Sequence, residues 1–391
     1  MTIVPLFLLT LGAINWGYAY PLVFLFVALL RQRMLGREIY FNFLYAPGFW
    51  LLLSAGMTYA LIGMRTISGV YHHGVLPVVA FAIGWLIAEG SSDKQIRDGI
   101  LALATGFGTY ATLNMLVNIG NNRYRLIDFW TGTYRAATGS GALNTLPISV
   151  TPYAVKFEKR LPVKIMFLAL FFATIQYMFM LGTRTQFAIL LLIVILAALQ
   201  FAYSEQGLKC IGIMAVISLI AFLLYHFNVL SIRDYILSTN LAARYQRRAS
   251  LENADSFRFQ SFWIGLRELI QYPMGGRASQ VYRHNMWLDV GRVSGIIPFC
   301  LLLVYSIKNF ANVTVIWKNT KILPSLRYLL LFLYIGAYVN CFVEPIWEGA
   351  LNFFLALCVV DGMVSAMMRR LENDHTPEES VSDTSNLHTD L

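Results

Sequence analysis

Long apolar runs without a charged residue recur along most of the chain, separated by short polar connections. Four clear examples are residues 39–64, 99–122, 165–183 and 185–204. A helix needs about 20 residues to cross a hydrocarbon core about 30 Å thick, so each run can span a membrane. The alternation of apolar and polar positions that is typical of a membrane β-barrel is absent from these runs. The pattern predicts an all-α protein with many transmembrane helices.

Ten strong spans and one weak span follow from this pattern. The strong spans lie near residues 3–30, 41–63, 74–89, 98–119, 162–181, 185–203, 208–228, 287–308, 325–343 and 347–367. The weak one, 139–156, contains two glycines and two prolines, so we predict a broken or re-entrant segment. The first span carries Pro5, Gly12 and Pro21 and is either one long helix or a tight hairpin. The total is therefore eleven or twelve transmembrane helices.

These spans divide the chain into four regions. They are N-terminal transmembrane helices (1–228), a long outer, periplasmic loop (229–283), C-terminal transmembrane helices (284–370) and a tail (371–391). The tail is rich in Glu, Asp, Ser and Thr, which predicts disorder. Within the loop, Asp255 is a candidate cap for a helix over about 256–272 that ends before Pro273. Its apolar side suits either the membrane surface or packing on the spans.

The distribution of charge predicts how the chain crosses the membrane. Only 13% of the residues are charged and 57% are hydrophobic, whereas an ordinary soluble domain is about 25% charged. The net charge of +9 does not indicate a nucleic-acid partner, because the basic residues are scattered among the connections between spans. The positive-inside rule places the side that holds every lysine, and the C-terminus, in the cytoplasm. We expect a multi-pass protein of a bacterial cytoplasmic (inner) membrane.

The predicted outer loop is rich in arginine and has no lysine. Its eight arginines are Arg233, Arg244, Arg247, Arg248, Arg258, Arg267, Arg277 and Arg283. A guanidinium group binds phosphate or carboxylate oxygens in pairs, so the loop indicates an anionic ligand on the outer face. The alternative is that a long loop escapes the charge rule and that its arginines pair with its acids. Those acids are Asp234, Glu252, Asp255 and Glu268.

Sequence signatures of soluble nucleotide-using and metal-using enzymes are missing. The chain has no Gly-Lys-Ser/Thr phosphate loop, no His-Glu-x-x-His and no Asp-x-Asp motif, so we predict no metal and no cofactor. His284 stands directly after Arg283 and before a predicted span, on the outer face. An imidazole titrates near neutral pH and can take a proton from a hydroxyl group. A histidine at a membrane interface also commonly serves only as a hydrogen-bonding residue.

Three segments together resemble the O-antigen polymerase and O-antigen ligase family. They are Gly182-Thr183-Arg184-Thr185, then Ser256-Phe257-Arg258 with Trp263 and Pro273-Met274-Gly275-Gly276, and then His284-Asn285-Met286-Trp287-Leu288 with Gly291 and Gly295. The resemblance covers about residues 165–310, and the first 160 residues match only in being hydrophobic. It implies a metal-independent, inverting membrane glycosyltransferase. Its donor would be an undecaprenyl-pyrophosphate-linked glycan at the periplasmic face.

The resemblance also implies roles for individual residues. Arg184 and Arg258 would bind the pyrophosphate, and His284 would activate the acceptor hydroxyl or assist the leaving group. The second-tier candidates are Arg277, Arg283, Asp289, Glu344 and Glu348. Of these, the two glutamates either orient the histidine or bind acceptor sugar, and the aspartate has an ion-pair partner in Arg292 at i+3. Trp263, Trp287 and Trp347 are candidates for stacking on sugars.

Polymerase and ligase share these motifs and differ in the acceptor. A polymerase adds the glycan to another lipid-linked repeat, and a ligase adds it to lipid A core. We place the polymerase first, in O-antigen or exopolysaccharide assembly, with membrane lipids and a chain-length regulator as further candidate partners. A lipid-linked oligosaccharide flippase or other transporter ranks third. Transport would predict internal repeats and charged groups deep inside several spans, and the sequence places ionisable residues at span ends.

Overall fold

A computed structural model describes residues 3–11, 20–36, 41–120, 126–135, 137–202, 219–220, 223–249 and 254–373. Within these residues, seven helices are long and apolar enough to cross a membrane. The two strands, β1 (Leu126–Ile127) and β2 (Tyr134–Arg135), form one short antiparallel hairpin. The protein is therefore an all-α, polytopic membrane protein. The predicted total of eleven or twelve spans stays a prediction, because the span near 208–228 lies largely outside the described residues.

Helices in the first half of the chain follow most of the predicted spans. They are α1 (Ile3–Leu11), α2 (Tyr20–Met34), α3 (Pro47–Met64), α4 (Ile67–Ala88), α5 (Asp93–Val117), α6 (Ala137–Leu143), α7 (Thr145–Phe157), α8 (Leu161–Leu181) and α9 (Arg184–Ala202). The predicted first span contains two helices among the described residues. Helix α1 packs against α5, and helix α2 packs against α4. The weak segment is broken, as predicted, between α6 and α7 at Asn144.

Helices in the second half differ more from the predicted spans. They are α10 (Ile232–Ser238), α11 (Asn240–Ala249), α12 (Ala254–Gln271), α13 (Met286–Ser294), α14 (Ile296–Lys318), α15 (Pro324–Val343), α16 (Ile346–Gly349) and α17 (Leu351–Asn373). The long loop thus contains helices, and α12 coincides closely with the helix predicted there. Helix α17 runs through residues 371–373, so the predicted tail begins too early. Residues 374–391 lie outside the described residues.

The predicted span over 287–308 is wrong. The segment is two helices, a short buried α13 and a longer α14, separated by Gly295. Gly295 has φ +90°, which glycine adopts freely, and a Cβ atom there would lie 2.1 Å from the carbonyl oxygen of Pro273. Hydropathy could not reveal this break, because both helices are apolar. The true span is α14, and it carries Lys308 in its interior.

Basic residues from the connections assigned to the cytoplasm meet at one end of the helix bundle. Arg31 donates to the carbonyl of Ile87 (3.1 Å), and Arg370 pairs with Asp93 (2.5 Å). The Arg97 guanidinium lies 3.4 Å from Ser325 Oγ, so α5 and α15 begin at the same end. The structure therefore brings these connections together, as the sequence predicts. That this end is the cytoplasmic one stays a prediction.

The tightest helix contact in the core joins α4 and α17. A Cβ atom at Gly84 would lie 1.8 Å from the carbonyl oxygen of Val359, and one at Gly362 would lie 2.0 Å from that of Phe81. Small residues let membrane helices approach this closely. Asp361, beside this contact, is fully buried and accepts hydrogen bonds from Tyr305 (2.6 Å) and Tyr334. The expectation that ionisable residues lie only at span ends is therefore wrong at Asp361.

Candidate functional site

Backbone hydrogen bonds join the turn after α12 directly to the junction between α13 and α14. Gly276 N–H donates to Val293 O (2.9 Å), and Ile296 N–H donates to Pro273 O (2.8 Å). Gly275, at φ +73°, packs against the same backbone, where a Cβ atom would lie 2.5 Å from the amide nitrogen of Gly295. Two of the three family-like segments are thus one structural unit. Gly275 and Gly295 are needed because the backbones of the two segments touch at these residues.

Helices α12 and α13 also pack closely along their length. A Cβ atom at Gly291 would lie 2.3 Å from Leu269 Cδ2, and one at Gly265 would lie 3.1 Å from Leu288 Cδ1. This packing covers α13, all of whose residues are buried. The structure shows α12 packed on α13, while Phe259, Trp263 and Ile270 on the same helix stay exposed. That these exposed side chains lie on the membrane surface stays a prediction. The packing fixes the position of the segment that links α12 to α13, which carries His284.

His284 occupies a left-handed turn immediately before α13. Its φ is +55°, a conformation that costs a residue with a side chain about 1 to 2 kcal/mol. Asp289 holds this turn from both sides: it accepts from Arg283 N–H (2.7 Å) and from Asn285 N–H (3.3 Å). Asn285 caps α13 by accepting from Leu288 N–H (3.0 Å). Backbone strain that the surroundings hold in place is a common property of functional sites.

Glu344 joins His284 to the beginning of α9. Glu344 Oε2 lies 3.8 Å from His284 Nδ1, and Glu344 Oε1 accepts a hydrogen bond from Thr185 Oγ1 (2.5 Å). The Glu344 side chain is buried, whereas the His284 side chain is 26% exposed. This contact is longer than a hydrogen bond. The carboxylate faces Nδ1, which leaves Nε2 for a substrate.

Arg184 is the first residue of α9 and directly precedes Thr185. Helix α8 ends at Gly182 in the left-handed conformation (φ +67°), and the chain turns sharply into α9. The side chain of Arg184 is half-buried. The hydroxyl oxygen of Thr183 is buried and has no hydrogen-bond partner among the described residues. A helix N-terminus with a guanidinium and a spare hydroxyl is a favourable place for an anion.

Arg258 lies in the first turns of α12, on the helix that packs against α13. Its side chain lies outside the described residues, so the structure does not test its predicted contact with a pyrophosphate. The same holds for the side chains of Arg247 and Arg248 at the end of α11. The role implied for Arg258 stays a prediction.

Arg283 and Arg277 both pair with Glu268. Arg283 forms two hydrogen bonds to the Glu268 carboxylate, at 2.7 and 2.9 Å, and both side chains are only 9% exposed. Arg277 Nε lies 3.4 Å from the same carboxylate, and its guanidinium lies 4.4 Å from the Tyr272 ring centroid. For these two arginines the structure shows the alternative reading, in which loop arginines pair with loop acids.

Arg292 forms the buried centre of a second ion-pair cluster. It contacts Asp289 at 3.3 Å and Glu348 at 3.0 Å, and its side chain has no exposed surface. It also donates to three carbonyl oxygens in the segment before His284, those of Arg277, Ala278 and Gln280, at 2.8 to 3.0 Å. The i+3 pairing of Asp289 with Arg292 that the sequence suggested is present. The rest of this role was not predicted, because its partners are distant in the sequence.

The two glutamates have different neighbours. Glu344 lies beside His284, as one of the predicted alternatives has it, whereas Glu348 pairs with Arg292. Burial raises the pKa of Glu348 to about 7, against the opposing effect of Arg292, and the nearby Asp289 raises it further. Burial also raises the pKa of Asp289, although the Arg283 backbone N–H and the Arg292 guanidinium oppose it. In both carboxyl groups, loss of contact with water disfavours the charged form.

The three tryptophans suggested for sugar stacking lie in different environments. Trp347 is fully buried and stacks on His73 with ring centroids 5.6 Å apart, so it cannot meet a substrate. Trp287 is 8% exposed and donates to Ser306 Oγ (3.0 Å). Trp263 on α12 is 56% exposed. Of the three, only Trp263 presents an open ring, and the suggestion is wrong for Trp347.

A buried polar layer lies under the His284–Glu344 pair. Gln186 donates to Asn340 (3.2 Å), and Asn340 donates to Thr145 (3.0 Å), which links α9, α15 and the start of α7. At the break between α6 and α7, both side-chain polar atoms of Asn144 are buried without a partner among the described residues. A Cβ atom at Gly141 would lie 2.6 Å from Thr183 Cγ2. The broken weak segment thus brings polar groups close to the start of α9.

An apolar groove of about 540 Å³ borders the same turn. Its walls come from α12, α13, α14 and α15. Asn285, next to His284, lies at its edge and donates to the carbonyl oxygen of Phe342 (3.1 Å). Ile307 and Phe342 in its wall are more than half exposed. Side chains of this kind in a membrane protein contact lipid chains.

Among the described residues, no group of three or more His, Cys, Asp or Glu side chains could hold a metal ion. The pair of His284 and Glu344 offers two protein ligands and no third. In comparisons with known proteins, no family model matches the sequence. No curated protein matches it either.

Proposed function

We propose that this protein is a membrane glycosyltransferase that moves an undecaprenyl-pyrophosphate-linked glycan to an acceptor during surface polysaccharide assembly. One observation carries the proposal: Glu344 contacts both His284 and Thr185, which places the imidazole near Arg184 at the start of α9. In this proposal a base, the carboxylate beside it and the cationic N-terminus of α9 act on one bound substrate. That is the combination that a transfer from a diphosphate to a hydroxyl requires.

The reaction follows from the roles of these groups. The acceptor oxygen attacks the anomeric carbon while the bond from that carbon to the pyrophosphate oxygen breaks, which inverts the anomeric centre. The electron pair of the broken bond stays on the pyrophosphate, and the acceptor proton passes to His284. Arg184 and the N-terminus of α9 stabilise the charge that develops on the leaving group. Glu344 stabilises the imidazolium ion until the proton is lost.

The apolar groove supports a lipid-linked donor. It begins at Asn285, one residue from the proposed base, and its walls include exposed apolar side chains of α14 and α15. A polyprenyl chain needs an apolar path that is continuous with the bilayer. Its pyrophosphate needs cationic and N–H donors, which the N-terminus of α9 with Arg184 offers. In this proposal the tail lies in the groove, and Arg258 is a second pyrophosphate ligand.

The first candidate acceptor is another lipid-linked repeat, which makes the enzyme a polymerase of O-antigen or exopolysaccharide. The second is lipid A core, which makes it a ligase. The site would face the periplasm, at the end of the bundle opposite the basic cluster around Arg370. A chain-length regulator remains a candidate partner of the polymerase.

Transport is the remaining candidate, and two observations favour it. Asp361 in α17 and Lys308 in α14 lie inside spans, and ionisable residues in such positions commonly mark transport pathways. Asp361, however, already accepts two tyrosine hydrogen bonds in a fully buried position. The His284–Glu344 pair has no evident part in a transport cycle, so transfer ranks first.

The proposal is tested by supplying the purified protein with an undecaprenyl-pyrophosphate glycan and, separately, with lipid A core. A ladder of lengthened glycans identifies a polymerase, and modified core identifies a ligase. Glycan that crosses a vesicle membrane without a new covalent bond identifies a transporter and contradicts the proposal. Product is detected by gel mobility and by mass spectrometry.

Variants then assign the roles. His284→Ala and Glu344→Gln should reduce turnover by about a hundredfold or more, the usual contribution of general base catalysis. Arg184→Lys keeps the charge and should weaken donor binding, because an ammonium group cannot bind two phosphate oxygens in a fork. His226→Ala, at an exposed histidine, is the matched control and should keep full activity. Full turnover in folded His284→Ala would exclude the proposed base.

A further inference from the structure

A second cavity lies at the end of the bundle opposite the His284–Glu344 pair. It has a volume of about 290 Å³ and lies between the start of α3, α4, α14 and the end of α17. Arg369, in the wall of this cavity, is eighteen residues further along α17 than Leu351, the first residue of the helix. At 1.5 Å per residue, the cavity therefore lies about 27 Å from the end of α17 that is close to Glu348. An adjoining cavity of about 320 Å³ shares Trp85 and Arg369 with it. Neither belongs to the proposed transferase site.

Lys308 is the most unusual residue of this cavity. It stands in the interior of the apolar α14, is half-buried, and makes no hydrogen bond or ion pair within the part of the chain that the structure describes. Placing an ammonium group inside a membrane span is costly unless a partner compensates its charge. A lysine that lines a cavity and has no partner among residues 41–120 and 254–373 is suited to bind an anion there.

Further donors face the same space. Arg369 contributes a guanidinium, which donates to the carbonyl oxygen of Asn42 (3.2 Å) and lies 5.8 Å from the Tyr45 ring centroid. The N-terminus of α3, at Pro47 and Gly48, lines the cavity, and Ala46 offers it no side-chain cap. Pro47 has no N–H and Phe49 N–H donates to Ala46 O (3.0 Å), so Gly48 N–H is the backbone donor that this positive helix end offers an anion.

Trp85 supplies an independent observation. Its side chain is 2% exposed and lines both cavities, and its indole N–H has no acceptor among the described residues. A buried donor without an acceptor costs about 1 to 3 kcal/mol unless a bound group satisfies it. This N–H calls for an acceptor, and an acceptor agrees in polarity with the two cations and the helix N-terminus.

Counted over the described residues, the acids of this region leave the cavity cationic. Glu372 is the one acidic residue in its described wall, against the two cations Lys308 and Arg369. Glu89, in the adjoining cavity, accepts a hydrogen bond from Asn42 Nδ2 (2.7 Å). Arg370 is paired with Asp93. The balance favours a ligand with one negative charge or more.

We propose that this cavity binds the phosphate group of an anionic phospholipid, held by Lys308, Arg369 and the N-terminus of α3. The elements that line it also present exposed apolar side chains: Tyr45 is 80% exposed and Trp50 51%. Acyl chains would lie along these side chains while the headgroup enters the cavity. The site would tie α3, α14 and α17 together, independently of the transferase activity.

The test is native mass spectrometry of the full-length protein in detergent, with phosphatidylglycerol or phosphatidylcholine added at equal ratios. Wild type should retain phosphatidylglycerol preferentially. Lys308→Met should weaken its retention by about tenfold or more, which corresponds to about 1.4 kcal/mol. Lys308→Arg should keep it. The matched control is Lys318→Met, an exposed lysine of the same helix, and it should bind as wild type does.

Three results would overturn the proposal. They are equal retention of the two lipids by wild type, undiminished retention of phosphatidylglycerol by Lys308→Met, and displacement of the lipid by inorganic phosphate alone, which would indicate a soluble anion. Size-exclusion chromatography establishes that each variant is folded. If Lys308→Met does not fold, Arg369→Gln replaces it, with the same loss of retention expected.

Discussion

Asp289 accepts hydrogen bonds from the two backbone N–H groups that flank His284, at 2.7 Å on the Arg283 side and 3.3 Å on the Asn285 side. His284 is one of the few residues other than glycine with a positive φ among the described residues. The carboxylate therefore fixes the backbone of the proposed base without touching its ring. It is a positioning residue, and Glu344 is the residue that lies beside the imidazole.

Removing this support should affect turnover more than binding. Asp289→Ala should lower kcat by about tenfold or more with little change in KM, because the imidazole loses its fixed position. Asp289→Ala should lower the free energy of unfolding less in a His284→Gly protein than in the wild type. Glycine adopts a positive φ freely and does not need the support of Asp289. Thermal unfolding of the two single variants and the double variant in detergent measures this coupling. Strictly additive losses would show that Asp289 does not hold the turn.

Gly295 and Gly276, two of the three glycines with positive φ at the α12–α13 unit, should respond differently to alanine. Gly295→Ala would place a Cβ atom 2.1 Å from the Pro273 carbonyl oxygen, and a backbone atom cannot move aside. Gly276 also has positive φ (+83°), but nothing lies within 4 Å of its Cβ position. We expect Gly295→Ala to prevent accumulation of folded protein and Gly276→Ala to cost about 1 kcal/mol. Accumulation in membranes and thermal unfolding test both, and equal effects would contradict the close backbone contact.

Arg283 should be a structural residue despite its place beside the proposed base. Arg283→Gln leaves the buried Glu268 with only the longer contact to Arg277 and should lower stability by about 3 kcal/mol. Arg267→Gln, at an exposed arginine of α12, should change stability by less than about 0.5 kcal/mol. The comparison uses the midpoint of thermal unfolding. A stable Arg283→Gln protein that no longer binds donor would instead return Arg283 to the ligand-binding candidates.

Stability should depend on pH through Glu348. Because burial raises its pKa to about 7, the folded protein keeps a proton that the unfolded chain has lost between about pH 4.5 and 7. The stabilisation is complete below this window and decreases as the pH rises through it, by about 3 kcal/mol at most.

Glu348→Gln removes the titrating group and should flatten this part of the pH profile of thermal stability. Glu372→Gln, at the far end of α17, is the matched control and should keep the wild-type slope. If Glu348→Gln retains the full slope between pH 5 and 7.5, another group is responsible.

Most of the transmembrane helices were predictable because hydropathy is a local property. The spans at α5, α8 and α15 agree with their predicted positions within a few residues, and the break in the weak segment follows from its glycines and prolines. The span at 287–308 was not predictable in the same way. Its break depends on the contact of Gly295 with Pro273, and no apolar pattern records a contact between distant backbones.

The candidate site was predictable in its residue types and only partly in its geometry. Short motifs singled out Arg184 and His284, and the sequence already offered Glu344 as one of two glutamates that could orient the histidine. The pairing of Arg283 with Glu268 and the position of Trp347 in the core appear only in the fold. Each of these relationships joins segments that are far apart in the sequence.

The sequence by itself determined that this protein lives in a membrane as a bundle of helices, since a helix is the only segment of this composition that satisfies its own backbone in lipid. It also determined which connections between helices carry the arginines and the lysines. The tertiary structure alone decided which cations are paired, which histidine meets a carboxylate, and that Lys308 has no ion-pair partner within the described part of the chain. Ion pairs and cavities depend on packing between helices, and that packing is set by side-chain shape across the whole chain.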